Sequence, residues 1–157
     1  DERIRSLAGQ LSRRLVQAEK AGAVGARLTP AELTAANRGE KAYIVYCAQC
    51  HQTDGRGMPD TALPLAGSKW VLGSAELTAK IVLRGKQGKG ALMPPWGGVL
   101  DDSAISAIVT YVRHHWGNNA SAVTPEMVRK ARSETQSMSG FWTEESLAQE
   151  AAQLGAK

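Results

Sequence analysis

Only two cysteines occur in 157 residues, and they stand three apart with a histidine directly after the second: Cys47-Ala48-Gln49-Cys50-His51. No other stretch narrows the possible folds as much. On a short helical stretch, two thiols at this spacing can each add to a haem vinyl group. The imidazole that follows then turns under the porphyrin to ligate iron. The pentapeptide is the attachment signature of a c-type haem, supplying both tether and proximal ligand.

A bare C-x-x-C has two competing readings. A thioredoxin-like dithiol wants a βαβ context, whereas Gly39 to Tyr46 reads as a helix running into the turn-rich Asp54 to Gly57. A closed zinc site wants four ligands, usually from two separated pairs, and the only other histidines are His114 and His115. Covalent haem fits better than either.

With 157 residues the chain is long enough for one core plus extensions, and a haem adds apolar area to bury. No apolar run approaches the ~20 residues of a membrane helix. Without an initiator methionine or a signal-like start, the chain reads as a mature protein or an excised domain, and export to a periplasmic or similar compartment is inferred from the haem motif alone. The formal charge of +4 would fall to about +2 with two propionates. No basic stripe interleaved with aromatics and no zinc-finger, homeodomain or RNP-like signature points to nucleic acid. No Ser/His/Asp arrangement, phosphate loop or recognisable pair of catalytic carboxylates points to an enzyme.

Along the chain, Ile4, Leu7, Leu11 and Leu15 predict an amphipathic helix over residues 1–20, followed by a hinge-like connection to Arg27. Thr29-Pro30-Ala31-Glu32 opens a second helix with a capping box. Gly39, Tyr43 and Cys47 fall four apart on one face leading into the haem motif. Residues 52–68 predict irregular chain lining one edge of the cofactor, with Trp70 and Val71 covering it. Ser74 caps a helix whose Leu77, Ile81 and Val82 form a buried stripe and which ends at Gly85. Lys86 to Gly90 is expected to be a flexible loop. Asp101-Asp102 open a helix with Ile105, Ile108, Val109 and Val112 on one side, and its face should cross the Gly39/Tyr43 face. Beyond Gly117-Asn118, Val123-Thr124-Pro125 and Trp142-Thr143 each begin a short helix, with Val128 and Leu147 placed to pack back on the residue before the cap.

The second iron ligand is expected in Ala91-Leu92-Met93-Pro94-Pro95-Trp96. A thioether opposite histidine is the common electron-transfer pairing, and two prolines hold the sulfur on a stiff strap. Met58 lies too near His51 to cross the porphyrin easily, Met127 and Met138 sit in the tail, and His114 and His115 suit a helix C-terminus.

From about Gly39 to Asn118 the chain resembles the class I c-type cytochromes. The resemblance rests on Gly39, Tyr43, Cys47, Cys50, His51, Pro64, Met93, Pro94 and Tyr111. It implies an all-α cytochrome c fold around one covalent haem, a hexacoordinate iron with one exposed haem edge, and a Pro64 carbonyl orienting the His51 ring. The runs Leu63–Ser68, Met93–Trp96 and Trp116–Asn118 look like bacterial haem domains attached to periplasmic dehydrogenases or copper nitrite reductases. The expected organisation is an N-terminal helix and connector over 1–35, a haem domain over 36–118 and a C-terminal helical extension over 119–157.

The resulting expectation is an electron carrier rather than an enzyme, working between a periplasmic redox enzyme and an acceptor. Cys47 and Cys50 hold the haem c, His51 and Met93 ligate iron, Trp70 and Trp96 shield it, and Arg84 or Lys86 meets a propionate. Two rivals stand beside it: a haem domain or subunit of a larger dehydrogenase or nitrite reductase, and a gas- or peroxide-binding haem protein, which would need a dissociable Met93 and a distal acid or base. Oligomeric state and redox partners are not legible.

Overall fold

The computed structural model describes residues 27–155, so the expected helix over 1–20 lies outside the described residues. Helix α1 (Pro30–Tyr46) begins as its sequence dictates. Thr29 Oγ1 accepts from the Glu32 N–H at 3.3 Å, and Glu32 accepts the Thr29 N–H in return at 2.7 Å. The helix runs unbroken through Asn37 and Gly39, burying Ala36, Gly39 and Tyr43 on one face. It stops at Cys47, whose φ of −120° leaves helical space, and α2 (Ala48–His51) is a single further turn.

Two short helices follow the haem-motif loop: α3 (Lys69–Leu72) and α4 (Ala75–Arg84), the latter capped by the Ser74 hydroxyl. In α4, Leu77 and Ile81 are buried as the stripe predicts, while Val82 is only partly so. The expected flexible loop after Gly85 is instead a small antiparallel hairpin. Strand β1 (Lys86–Gln87) pairs with β2 (Leu92–Met93), Lys86 opposite Met93 and Gln87 opposite Leu92. Apart from this hairpin the architecture is helical, as the sequence predicts.

Helix α5 (Asp102–His114), capped by Asp101, carries the centre of the core: Ile105, Ile108, Val109, Tyr111 and Val112 are all buried. It crosses α1 at Gly39. A Cβ there would lie 1.9 Å from the Ala107 carbonyl oxygen, so the two backbones touch where only a hydrogen fits. Beyond α5, α6 (Pro125–Glu134) packs back on α4 and α5, and α7 (Glu144–Gly155) packs on α4. The apolar residues flanking each cap, Val123 with Val128 and Trp142 with Leu147, are buried as expected.

The C-terminal helices are fixed to the core by polar contacts as well. Lys80 of α4, its side chain 4% exposed, meets Glu76 at 3.0 Å, Glu134 of α6 at 2.8 Å and Glu150 of α7 at 2.6 Å. Trp142 extends the hairpin: its carbonyl accepts the Gln87 N–H at 2.8 Å, and its own N–H reaches the Gly85 carbonyl at 3.1 Å. No described helix is long and apolar enough to cross a membrane.

Candidate functional site

Helix α1 delivers the haem motif with little freedom. Tyr43, one helical turn before Cys47, is fully buried against Tyr111 and Trp116, with ring centroids at 5.4 and 5.3 Å. Its hydroxyl donates to the Gln52 carbonyl at 2.6 Å, which fixes where the chain emerges past His51. Gln52 and Gly55 then turn with positive φ, and a Cβ on Gly55 would strike the Trp116 ring at 2.5 Å. The loop therefore lies on the aromatic cluster at the end of α5.

His51 is oriented by this loop. Its Nδ1 lies 3.0 Å from the Leu63 carbonyl oxygen, which can only accept, so Nδ1 carries the proton and Nε2 keeps its lone pair. The orienting carbonyl expected at Pro64 is thus one residue earlier. Loop backbone direction decides which carbonyl turns inward, and composition does not encode it. Burial holds the His51 pKa below the usual histidine range, against the opposing effect of the Leu63 hydrogen bond, favouring the neutral ring that a metal requires.

The loop is itself clamped by Asn118, 2% exposed. Its Nδ2 donates to the carbonyls of Leu65 at 3.0 Å and Val112 at 2.9 Å, and its Oδ1 accepts the Gly67 N–H at 2.9 Å. Arg113 does comparable work on the segment carrying Trp70 and Val71, donating to the carbonyls of Val71 at 2.5 Å and Gly73 at 2.9 Å. Sequence reasoning read Asn118 only as a helix stop and passed over Arg113.

Met93 arrives from the other side. The hairpin holds it opposite Lys86, and the strap after it is tied to α4 by Trp96 N–H to Val82 carbonyl (3.0 Å) and Gly97 N–H to Leu83 carbonyl (3.1 Å). Gly85, at φ +75°, makes the approach possible, since a Cβ there would sit 2.4 Å from the Met93 carbonyl oxygen.

These elements enclose one apolar slot that opens to solvent at its mouth. Cys47, His51, Met93, Pro64 and Trp70 all line it, and Ile81, Val82, Ile108, Val109 and Val112 supply an apolar wall. Cys50 is exposed and is not among the slot's lining residues. Of the four methionines only Met93 lines the slot, and neither His114 nor His115 does; His115 stacks on Tyr111 instead. Burial pushes the Cys47 thiol up to about 12, with Cys50 adding to the effect, so the free sulfur stays protonated and poorly nucleophilic. An apolar slot with a histidine lone pair and a thioether at its lining, and a thiol at its edge, fits a haem by the chemistry of its donors.

Two expected contacts fall elsewhere. Arg84 does not line the slot: the last turn of α4 aims it at the C-terminal segment, where it donates to the Met138 carbonyl. Lys86 does line the slot, and is paired with Glu144 at 3.1 Å. Trp96 also lies outside the lining, edge-on to Tyr46 with ring centroids 5.6 Å apart, because the strap turns toward α1 after Pro95.

Residues 34–112 match the family model described as cytochrome c oxidase, cbb3-type, subunit III, and this stretch contains Cys47, Cys50, His51 and Met93. The chain belongs to this family of c-type cytochromes. Among its relatives is the cbb3-type cytochrome c oxidase subunit FixP of Bradyrhizobium diazoefficiens, 37% identical over 49% of this chain and 26% of the relative. The fructose dehydrogenase cytochrome subunit of Gluconobacter japonicus is 32% identical over 68% of this chain and 24% of the relative. The gluconate 2-dehydrogenase cytochrome c subunit of Pantoea cypripedii is 36% identical over 60% and 24%. The chain thus spans about a quarter of the length of these curated relatives. As a c-type cytochrome domain it is an electron carrier and not a catalyst by itself.

Proposed function

We propose that this cytochrome holds one haem c, joined through Cys47 and Cys50 with His51 and Met93 as axial ligands, and passes single electrons between a periplasmic redox enzyme and an acceptor. The observation that carries this reading is the convergence of Cys47, His51 and Met93, from two separate parts of the chain, on one apolar slot. The bound haem supplies a reversible one-electron couple, and methionine ligation sets that couple higher than a second histidine would.

The chain's own residues do the rest. The Leu63 carbonyl fixes the His51 tautomer and ring plane, which keeps Nε2 directed away from that bond. The hairpin and the strap's bonds to α4 hold Met93 in place, so a change of iron charge meets a rigid ligand frame. The apolar wall keeps water from the slot, and Trp70 is fixed as part of it by its Nε1 donating to Glu144 Oε1 at 3.2 Å. Lys86, the one lysine among the slot's described lining residues, would be the cation to meet a propionate. Residues 36–118 form the haem domain in this reading, with the C-terminal extension bound against it.

The relatives' printed names favour a cytochrome subunit or domain of a larger dehydrogenase over a free-standing carrier, because each names a subunit and the chain spans only a part of it. The gas- or peroxide-binding reading would need an open iron position, and Met93 at the slot lining opposes it.

The test is an optical spectrum of air-oxidised and dithionite-reduced protein. Sharp reduced α and β bands with a weak near-infrared band in the oxidised state, the latter lost in Met93→Ala, are expected. A high-spin ferric spectrum of the unaltered protein would overturn the ligand assignment.

A further inference from the structure

We propose that a second cleft, between the end of α4, the Pro95–Gly98 segment and α6, binds a small oxyanion, either phosphate or carboxylate. The cleft is open to solvent and is lined by Arg84, Arg129 and Arg132 together with Ser133 and Gln136. Among the described residues no Asp or Glu lines it.

Its donors divide into those committed to the scaffold and those left over. Arg132 is committed: Nε pairs with Asp102 at 2.8 Å, and its other nitrogens donate to the Gly97 and Leu100 carbonyls. Arg84 is not. One terminal nitrogen reaches the Met138 carbonyl, while Nε is buried with no acceptor, and among the described residues no carboxylate pairs with it. Among the described residues Arg129 has only Glu126, at 3.7 Å with both side chains about two-thirds exposed, a surface pair too weak to hold it. Among the described residues the Gly98 N–H also finds no acceptor, and a Cβ on Gly98 would meet nothing within 4 Å. A guanidinium with no carboxylate partner keeps donors free for a ligand, and the planar geometry of those donors suits one with two or more oxygens on one centre.

The cleft shares a wall with the haem slot. Helix α4 gives Ile81 and Val82 to the slot and Leu83 and Arg84 to the cleft. The strap gives Met93 to the slot and Pro95 and Gly97 to the cleft, and the Val82–Trp96 and Leu83–Gly97 hydrogen bonds join the two halves of the wall. Negative charge behind this wall favours the more positive oxidation state, so the oxidised protein binds the anion more tightly and the anion lowers the midpoint potential, as linkage requires. This coupling rests on the His51/Met93 haem reading, whereas the site itself does not.

The experiment is calorimetric titration of the oxidised holoprotein with inorganic phosphate and separately with succinate, at constant ionic strength with chloride as the control anion. One saturable site is expected, weakened about tenfold or more in Arg84→Gln and in Arg129→Gln, and unchanged in Lys41→Gln on the outer face of α1. Whichever oxyanion binds more tightly assigns the ligand. No saturable heat with either, or full binding in both arginine variants, overturns the site. A midpoint potential that falls with phosphate and saturates at the calorimetric concentration supports the coupling. An unmoved potential in protein that binds phosphate overturns the coupling, and the optical spectrum reports independently whether the haem ligation holds.

Discussion

Replacing Lys80 by methionine should unlatch the C-terminal helices from the haem core. The Lys80 ammonium is 4% exposed and has carboxylate oxygens of Glu150, Glu134 and Glu76 at 2.6, 2.8 and 3.0 Å. Burial alone would lower its pKa, but hydrogen bonds to Glu134, Glu150 and Glu76 hold it above the ordinary lysine value, so it is charged at any working pH. Methionine fills the stem volume and removes the charge. Three carboxylates then face one another, with only the exposed Lys130 among the described residues, at 3.0 Å from Glu76 and 3.4 Å from Glu134, to compensate. Removing one partner from a buried ion cluster costs about 3–5 kcal/mol. For a chain of this length that corresponds to a fall in Tm of roughly 6–20 °C.

The pH dependence separates this mechanism from simple loss of packing. In the unaltered protein the hydrogen bond from Lys80 holds the Glu134 carboxyl at about 2. A depressed carboxyl contributes stability above the ordinary carboxylate pKa and loses it as pH falls toward 2. In Lys80→Met the same carboxylates repel, so protonation relieves them and the gap between the two proteins narrows from pH 7 to pH 3–4. Urea unfolding at both pH values measures it. A loss below about 1 kcal/mol, or one equal at both pH values, would refute the electrostatic account.

Gly39→Ala should cost about 3 kcal/mol in chemical unfolding, because the new methyl lies within bonding distance of the Ala107 carbonyl and α1 must move off α5; an alanine variant of wild-type stability would mean that the helices do not cross here. Asn118→Ala strips partners from the Gly67 N–H and the Leu65 and Val112 carbonyls, with an expected loss of about 1–3 kcal/mol. Hydrogen exchange at the Gly67 amide should accelerate well beyond that of α4 amides, and uniform acceleration would argue against a local clamp.

The parts of the site set by local sequence were legible. Cys47, Cys50 and His51 are fixed by spacing, the Thr29–Glu32 cap by adjacent residues, and Met93 by elimination among four methionines in a proline-stiffened strap. What failed depended on where a backbone or side chain turns within the fold. Leu63 rather than Pro64 presents its carbonyl to His51, Arg84 leaves α4 on the face toward Met138, and Trp96 folds onto Tyr46. The Lys86–Met93 hairpin was missed because four strand residues between glycines carry no periodicity to detect. Lys80, Arg113 and Asn118 were invisible for a different reason: most of their partners lie between 40 and 70 residues away, and nothing in a polar residue's neighbours announces a distant acceptor.

The stitching of Trp142 to the hairpin has a practical consequence. Its main chain bonds to Gly85 and Gln87, its indole donates to the Lys80 carbonyl at 3.0 Å, and Glu144 just beyond it holds Lys86. A graft of this module onto another oxidoreductase, cut where the family match ends, would carry every proposed haem ligand and still arrive without the brace behind its methionine. The unit that can be moved between proteins is therefore larger than the unit a family resemblance marks out.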